Sequence, residues 1–240
     1  MIESPQNDKL KFVRRLREHK NREREDLFVT EGEDLVETGL GAGVEPHLLL
    51  TAAGSGLGGE EVEPRLLAEF SMLGSGTRAI AVWPRRWERA IKPPCLYLHG
   101  VRDPGNVGAI IRSADALVGG TVVLGPDSAD PHSPKAVRAS MGSIFSQALV
   151  RAGVGETPRL RVGLVAHGGE DLAAVEKSQG TFCLGAERVG LPDAVLAQCD
   201  LQVTIPLRPE GAESLNVAAA AAIVCERISS LAMPEAEPDA

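Results

Sequence analysis

Leu96-Tyr97-Leu98-His99-Gly100-Val101-Arg102-Asp103-Pro104-Gly105-Asn106-Val107-Gly108-Ala109-Ile110-Ile111-Arg112-Ser113-Ala114 reads as a strand, a turn and a helix in direct succession. The apolar run suits a strand buried on both faces, Asp-Pro-Gly is turn chemistry, and a helix is expected to start near Asn106, which could cap it. The pattern recurs downstream. Strand-like runs at 95–99, 121–125, 145–150, 160–166, 181–185 and 201–206 alternate with helical stretches. Such alternation predicts βαβ units and a mostly parallel sheet covered on both faces, with Val217–Leu231 a largely buried last helix. Ligands of such sheets bind in the loops beyond the C-terminal strand ends, which makes the turn before Asn106 a candidate site.

Upstream, the reading is of a smaller α/β unit. Residues 10–25 form a basic amphipathic helix with Leu10, Val13 and Leu16 on one face, followed by a strand at Leu27–Thr30 and a helix at Asp34–Leu40. A strand within Pro46–Ala52, a glycine-rich loop at 53–59, a helix through Leu66, Leu67 and Phe70, and a strand at Arg78–Trp83 complete it. Ile91-Lys92-Pro93-Pro94 is the natural boundary, because paired prolines continue neither a helix nor a central strand. The domains read as 1–92, 93–232 and an acidic, proline-containing tail at 233–240 that is expected to be disordered.

Composition limits the partners. Of 240 residues, 43% are apolar and 24% charged, which supports a packed core. Aromatics are 3%, so a broad surface of stacked rings reading single-stranded bases is excluded. The net charge of −8 argues against binding nucleic acid or membrane over the whole surface. Locally the balance reverses: Lys9, Lys11, Arg14, Arg15, Arg17, Lys20, Arg22 and Arg24 face four acids between residues 9 and 28. Arg78, Arg85, Arg86, Arg89 and Lys92 face only Glu88 between 76 and 92. A charge run is commonly just a solvated helix face. Cys95, Cys183, Cys199 and Cys225 form no CxxC pair, and the five histidines are scattered, so buried thiols and no metal site are expected. No signal core precedes the basic helix and no run spans a bilayer; the compartment reads as cytoplasm.

Four segments are candidates for chemistry. Gly54-Ser55-Gly56-Leu57-Gly58-Gly59 fits GxGxxG, but it runs into Glu60, Glu61 and Glu63, and no ribose-binding acid stands near Ala79; it reads as a surface loop rather than a nicotinamide site. The turn and helix of 100–114 offer Asn106 and Arg112, six residues apart, which helical geometry alone does not bring into one site. Leu184-Gly185-Ala186-Glu187-Arg188-Val189-Gly190 ends a strand with a glycine that would let a ligand approach and a lone carboxylate. Ile205-Pro206-Leu207 leads through a loop to Ser214-Leu215-Asn216, where either polar residue could cap the last helix or face an anion at its N-terminus.

In this order and at these spacings, the last three segments resemble the signature motifs of the SpoU/TrmH-type family of SPOUT RNA methyltransferases. Asp130–Ser143, DPHSPKAVRASMGS, resembles the family segment between the first two motifs. Residues 1–92, through the basic helix and Leu27-Phe28-Val29-Thr30-Glu31-Gly32, resemble the family's ribosomal-protein-like substrate domain. The resemblance implies a C-terminal parallel sheet with a trefoil knot, against the general scarcity of knots, and a homodimer with its active site at the interface. It implies S-adenosylmethionine as cofactor, held by Leu184, Gly185, Ile205, Leu207, Ser214, Leu215 and Asn216. It assigns the catalytic roles to Arg112, Asn106, Glu187, Ser214 and Asn216, with RNA met by Arg14, Arg15, Arg17, Lys20, Arg22 and Arg24.

The implied reaction is methylation of a ribose 2′-hydroxyl, most naturally in ribosomal RNA, with tRNA or a non-catalytic ribosome-assembly role as alternatives. Arg112 would be either the base or the ligand of a neighbouring phosphate. The phosphate role is the easier one physically, since a guanidinium resists deprotonation.

Overall fold

The computed structural model describes residues 1–73 and 76–232. The chain runs through helices α1 (Asp8–Arg15) and α2 (His19–Glu25), strand β1 (Leu27–Glu31), α3 (Glu33–Gly41), β2 (Leu48–Ala52), β3 (Glu60–Val62), α4 (Pro64–Phe70) and β4 (Ala79–Pro84). Then come β5 (Cys95–Leu98), α5 (Pro104–Leu117), β6 (Thr121–Leu124), α6 (Pro134–Ser140), β7 (Ala148–Arg151), β8 (Arg161–Leu164) and β9 (Glu170–Asp171). β10 (Thr181–Leu184), α7 (Asp193–Leu196), β11 (Leu201–Thr204) and α8 (Val217–Ala232) follow. The tail expected to be disordered, 233–240, lies outside the described residues.

Two compact units result. One holds Met1–Arg86 with Asp130–Ser146, the other Trp87–Ala129 with the chain from Gln147 onward. The chain thus leaves the first unit just before the Pro93-Pro94 boundary, and the stretch carrying α6 returns to it.

In the first unit a four-stranded sheet in the order β1-β4-β2-β3 is antiparallel except for β2 with β3. Leu10, Val13, Leu16, Leu50, Leu67 and Ile80 form its core. The basic helix expected over 10–25 is broken. α1 stops at Arg15 and Glu18 takes extended backbone before α2. Two side chains absorb the carbonyls exposed there: Asn21 Nδ2 donates to Arg15 O at 2.8 Å, and Arg22 Nη1 donates to Leu16 O at 2.9 Å and Arg17 O at 2.6 Å. The GxGxxG loop enters strand β3, not a helix, and Gly54 N–H already donates to the Glu61 carboxylate at 3.2 Å, so no anion cradle exists.

Arg22 is only 3% exposed and pairs with Asp130 at 2.8 Å, which ties the returning segment to α2. This corrects its place among the RNA contacts: its guanidinium is spent on the fold. Burial alone would push the Asp130 carboxyl up. The hydrogen bond from His132 and the Arg22 charge outweigh it and hold the group far below the usual carboxylate range. Phe145, expected to open a strand at 145–150, instead lies with Ile144 in a 3-10 turn, its ring edge-on to Trp83 at 4.9 Å; the strand is 148–151.

The second unit is a seven-stranded, all-parallel sheet in the order β7-β6-β5-β10-β8-β11-β9. Every residue of β5, β6 and β10 is buried, as a sheet covered on both faces requires. Helices α5 and α8 pack together. The four cysteines are free thiols. Burial pushes Cys95 up to about 11 and Cys225 up to about 12, so both stay protonated and inert.

A depressed carboxyl pKa contributes stability above the unfolded value that is lost as pH falls toward the folded one. Asp130→Asn should therefore cost about 3 kcal/mol at neutral pH, the scale for orphaning a buried charge. The difference from wild type should shrink below about pH 4, where free carboxyls protonate. Urea midpoints measured across pH check both parts; a deficit independent of pH would refute the ion-pair account.

Candidate active site

The loops beyond the C-terminal ends of β5, β8, β10 and β11 meet in the second unit, where a parallel sheet places its ligands. Each is set by local chemistry. At the first, the cap of α5 is Asp103, not Asn106: its Oδ1 accepts from Gly105 N–H at 2.6 Å and Asn106 N–H at 3.2 Å, and Pro104 occupies the first helical position. The cap thereby leaves the Asn106 side chain free for other work. At the last, Asn216 is a cap as its type suggests, accepting from Ala218 N–H at 2.9 Å and Ala219 N–H at 3.4 Å.

The loop after β10 is a tight hairpin. Ala186 and Gly190 exchange backbone hydrogen bonds of 3.1 and 2.8 Å, with Gly190 at φ +67. A Cβ on Gly185 would stand 2.2 Å from Gly190 C and 2.3 Å from Leu191 N. Gly185 is therefore demanded first by the chain's own return, not by a ligand as its position suggested.

The hairpin stands between two cavities. The first, about 500 Å³, is lined by Leu184, Gly185, Ile205, Leu207, Ser214 and Leu215, six of the seven residues assigned to the cofactor. That volume falls in the range of small-molecule sites. Leu164, Val165, Ala166 and His167 complete one wall. They were missed because nothing in the order of the chain says that β8 lies between β10 and β11. The second cavity, about 510 Å³, is lined by His99, Arg102, Asp103, Asn106 and Asp127 on one side and by the hairpin on the other. The His99 ring is anchored by the Tyr97 hydroxyl, 3.1 Å from Nδ1, and burial pushes that phenol up.

Glu187 lines both cavities and binds the motifs together. Its Oε1 accepts from Asn106 Nδ2 and, at 2.8 Å, from Asn216 Nδ2, while Asn216 Nδ2 also lies 3.2 Å from Asn106 Oδ1. Three residues from separate segments thus form one network, and Asn216, the seventh cofactor candidate, joins it instead of lining the cavity. An ionised acceptor makes such bonds stronger than neutral ones.

Arg112 is not drawn in. It is exposed, lines neither cavity and has no hydrogen-bond or ion-pair partner among the described residues. In the first unit, Arg14 and Arg15 are exposed on α1, and Lys20 and Arg24 on α2. Arg14 lies over Phe70 at 4.5 Å, and Lys20 and Arg24 pair with Glu18 and Glu25 at 3.0 and 2.8 Å. Arg17 is held inward, donating to Phe70 O and lying 3.6 Å from Glu31.

Known proteins match both units. The model of the SpoU rRNA methylase family matches residues 93–226, and that of the MRM3-like substrate binding domain matches residues 7–80. The 23S rRNA (guanosine(2553)-2′-O)-methyltransferase RlmP of Bacillus subtilis is 32% identical, over 93% of this chain and 96% of that protein. An AdoMet-bound rRNA methyltransferase from Sinorhizobium meliloti superposes with a TM-score of 0.86 at 27% identity, covering 97% of this chain and 98% of the other. The SpoU methyltransferase AviRb from Streptomyces viridochromogenes, in complex with AdoMet, gives 0.81 at 26% identity over 94% and 98%. Both units thus have counterparts in chains of nearly equal length, and the chain belongs to the SpoU rRNA methylase family.

Proposed function

We propose that this chain transfers a methyl group from S-adenosylmethionine to a ribose 2′-hydroxyl of RNA, with ribosomal RNA as the substrate. The observation that carries the reading is the convergence of Leu184-Gly185, Ile205-Pro206-Leu207 and Ser214-Leu215 on one cavity, beside the Asn106–Glu187–Asn216 network. The cavity suits the cofactor. Leu184, Ile205, Leu207 and Leu215 offer apolar walls for a flat base. Bound there, the cofactor supplies an already activated methyl group, so the protein's task is chiefly to position an in-line attack.

Glu187 and the two asparagines fix the loops that border both cavities. A change in any one shifts the others, which makes them positioning residues as much as ligands. Ser214 offers a hydroxyl at the cavity wall. Arg112 stays protonated at any working pH, so its fitting role is to hold the phosphate beside the target ribose. Its exposure outside both cavities of its own chain favours a homodimer in which Arg112 serves the partner's site. Leu117 and Ile223, 42% and 39% exposed on the mutually packed α5 and α8, favour the same face for that contact. The strand order, with β10 inserted between β5 and β8 after β6 and β7 have been laid down, suits the trefoil knot. Arg14, Arg15, Lys20 and Arg24 remain the candidates for RNA phosphate contacts, and a ribosomal RNA substrate implies the cytoplasm.

Arg112→Ala should leave S-adenosylmethionine affinity by calorimetry within about two-fold and abolish methylation, with mapping of 2′-O-methyl sites in total RNA as the second readout; retained turnover sinks the assignment. Gly185→Ala must move the 186–190 hairpin. It should weaken cofactor binding about ten-fold or more, the scale of an overpacked site, and unchanged affinity would refute the wall. Replacing Arg14, Arg15, Lys20 and Arg24 together with Ala should flatten the slope of log affinity for RNA against log salt by roughly 0.7 to 0.9 per lost phosphate contact. An unaltered slope would mean that these residues are only a solvated face.

A further inference from the structure

We propose that Trp87 and Arg151 form a stacking platform for an unpaired RNA base. The proposal rests on RNA being the substrate, and it places a contact in the second unit, whereas the basic residues of α1 and α2 belong to the first.

β7 is the outer strand of its sheet, and Glu88 N–H donates to Leu149 O at 2.8 Å along that edge. This lays the segment after β4 against β7 and brings Trp87 beside Arg151. The Arg151 guanidinium carbon lies 4.5 Å from the Trp87 ring centroid. Arg151 is exposed and Trp87 half-exposed.

The setting is unusual for this chain. It has five Phe, two Trp and one Tyr. All are buried except Trp87 and Phe12, and Phe12 packs against the core of the first unit. Trp87 is thus the aromatic ring left at the surface with an arginine over it. Arg89 and Lys92, both exposed, follow it, and Glu88 is the lone acid in this stretch. Indole and guanidinium both stack on nucleobases, and a base needs no particular sequence to use them. A cationic flat group over a ring, flanked by further cations, suits a base and its adjoining phosphates better than it suits a protein partner, which would seek apolar area or matched charge. In a molecule of net charge −8, such a cluster also lowers the local repulsion of RNA.

The test is titration of the full-length protein with a single-stranded RNA about 12 nucleotides long, following tryptophan emission while a labelled copy reports binding by anisotropy. Trp83 is wholly buried, with its Nε1 donating to Thr30 Oγ1 at 2.8 Å, so a change in emission reports Trp87. Binding should quench the emission along the anisotropy curve. Trp87→Phe, which keeps a ring, should bind with little loss and show no quenching. Trp87→Ala should bind about ten-fold more weakly, and Arg151→Ala should weaken binding and flatten its salt slope by roughly 0.7. Binding without quenching in the wild type, or quenching that persists in Trp87→Phe, overturns the platform and leaves the pair a structural contact. No binding at all by anisotropy overturns the platform together with the reading of RNA as substrate.

Discussion

One carboxylate oxygen holds the site together. Glu187 Oε1 takes hydrogen bonds from amides that stand on α5 and at the start of α8. Those segments are 110 residues apart, and Glu187 itself sits at the tip of a third. Each bond is exposed to water and would be worth only about 1 kcal/mol by itself. Their value is geometric. The hairpin that carries Glu187 is tight because Gly185 has no side chain, Asn106 is available because Asp103 has taken over the cap, and Asn216 is fixed because it caps α8. The loops are thus ordered relative to one another before any ligand arrives, which lowers the cost of ordering them on binding.

Much of this was legible in the sequence, for reasons that differ by element. β5, β6 and β10 are apolar at every position, and only strands covered on both faces are built that way. The three motifs stood out as strand-end segments rich in glycine, proline and short polar residues, and their order and spacing, by resemblance to the family, marked them as one site. What escaped was whatever depends on spatial neighbours. The wall of Leu164–His167 belongs to the site only because of the strand order. Asn106 looked like a cap, and only the geometry shows Asp103 doing that work. Gly185 looked like a ligand's approach path, whereas the chain itself needs the space.

The basic run near the N-terminus shows the same limit on another scale. Spacing cannot tell a guanidinium that meets solvent from one that meets carbonyls. Arg14, Arg15, Lys20 and Arg24 face water, but Arg22 is buried and completes a broken helix. The pairing partner that reveals this, Asp130, stands more than a hundred positions away. A residue can thus be basic, correctly counted in the local charge and still contribute nothing to the field outside the protein.

The return of Asp130–Ser146 to the first unit makes the two units inseparable by any single cut. Cleaving the chain between them once leaves Ile144 and Phe145, which are buried in the first unit, on the wrong fragment. Recombination between relatives meets the same obstacle: a crossover placed at the proline pair would graft a foreign partner onto both the Arg22–Asp130 pair and the Trp83–Phe145 contact. A substitution in α2 therefore has its structural consequence in the segment around α6, and each of the two cores is completed only when both stretches of chain are present.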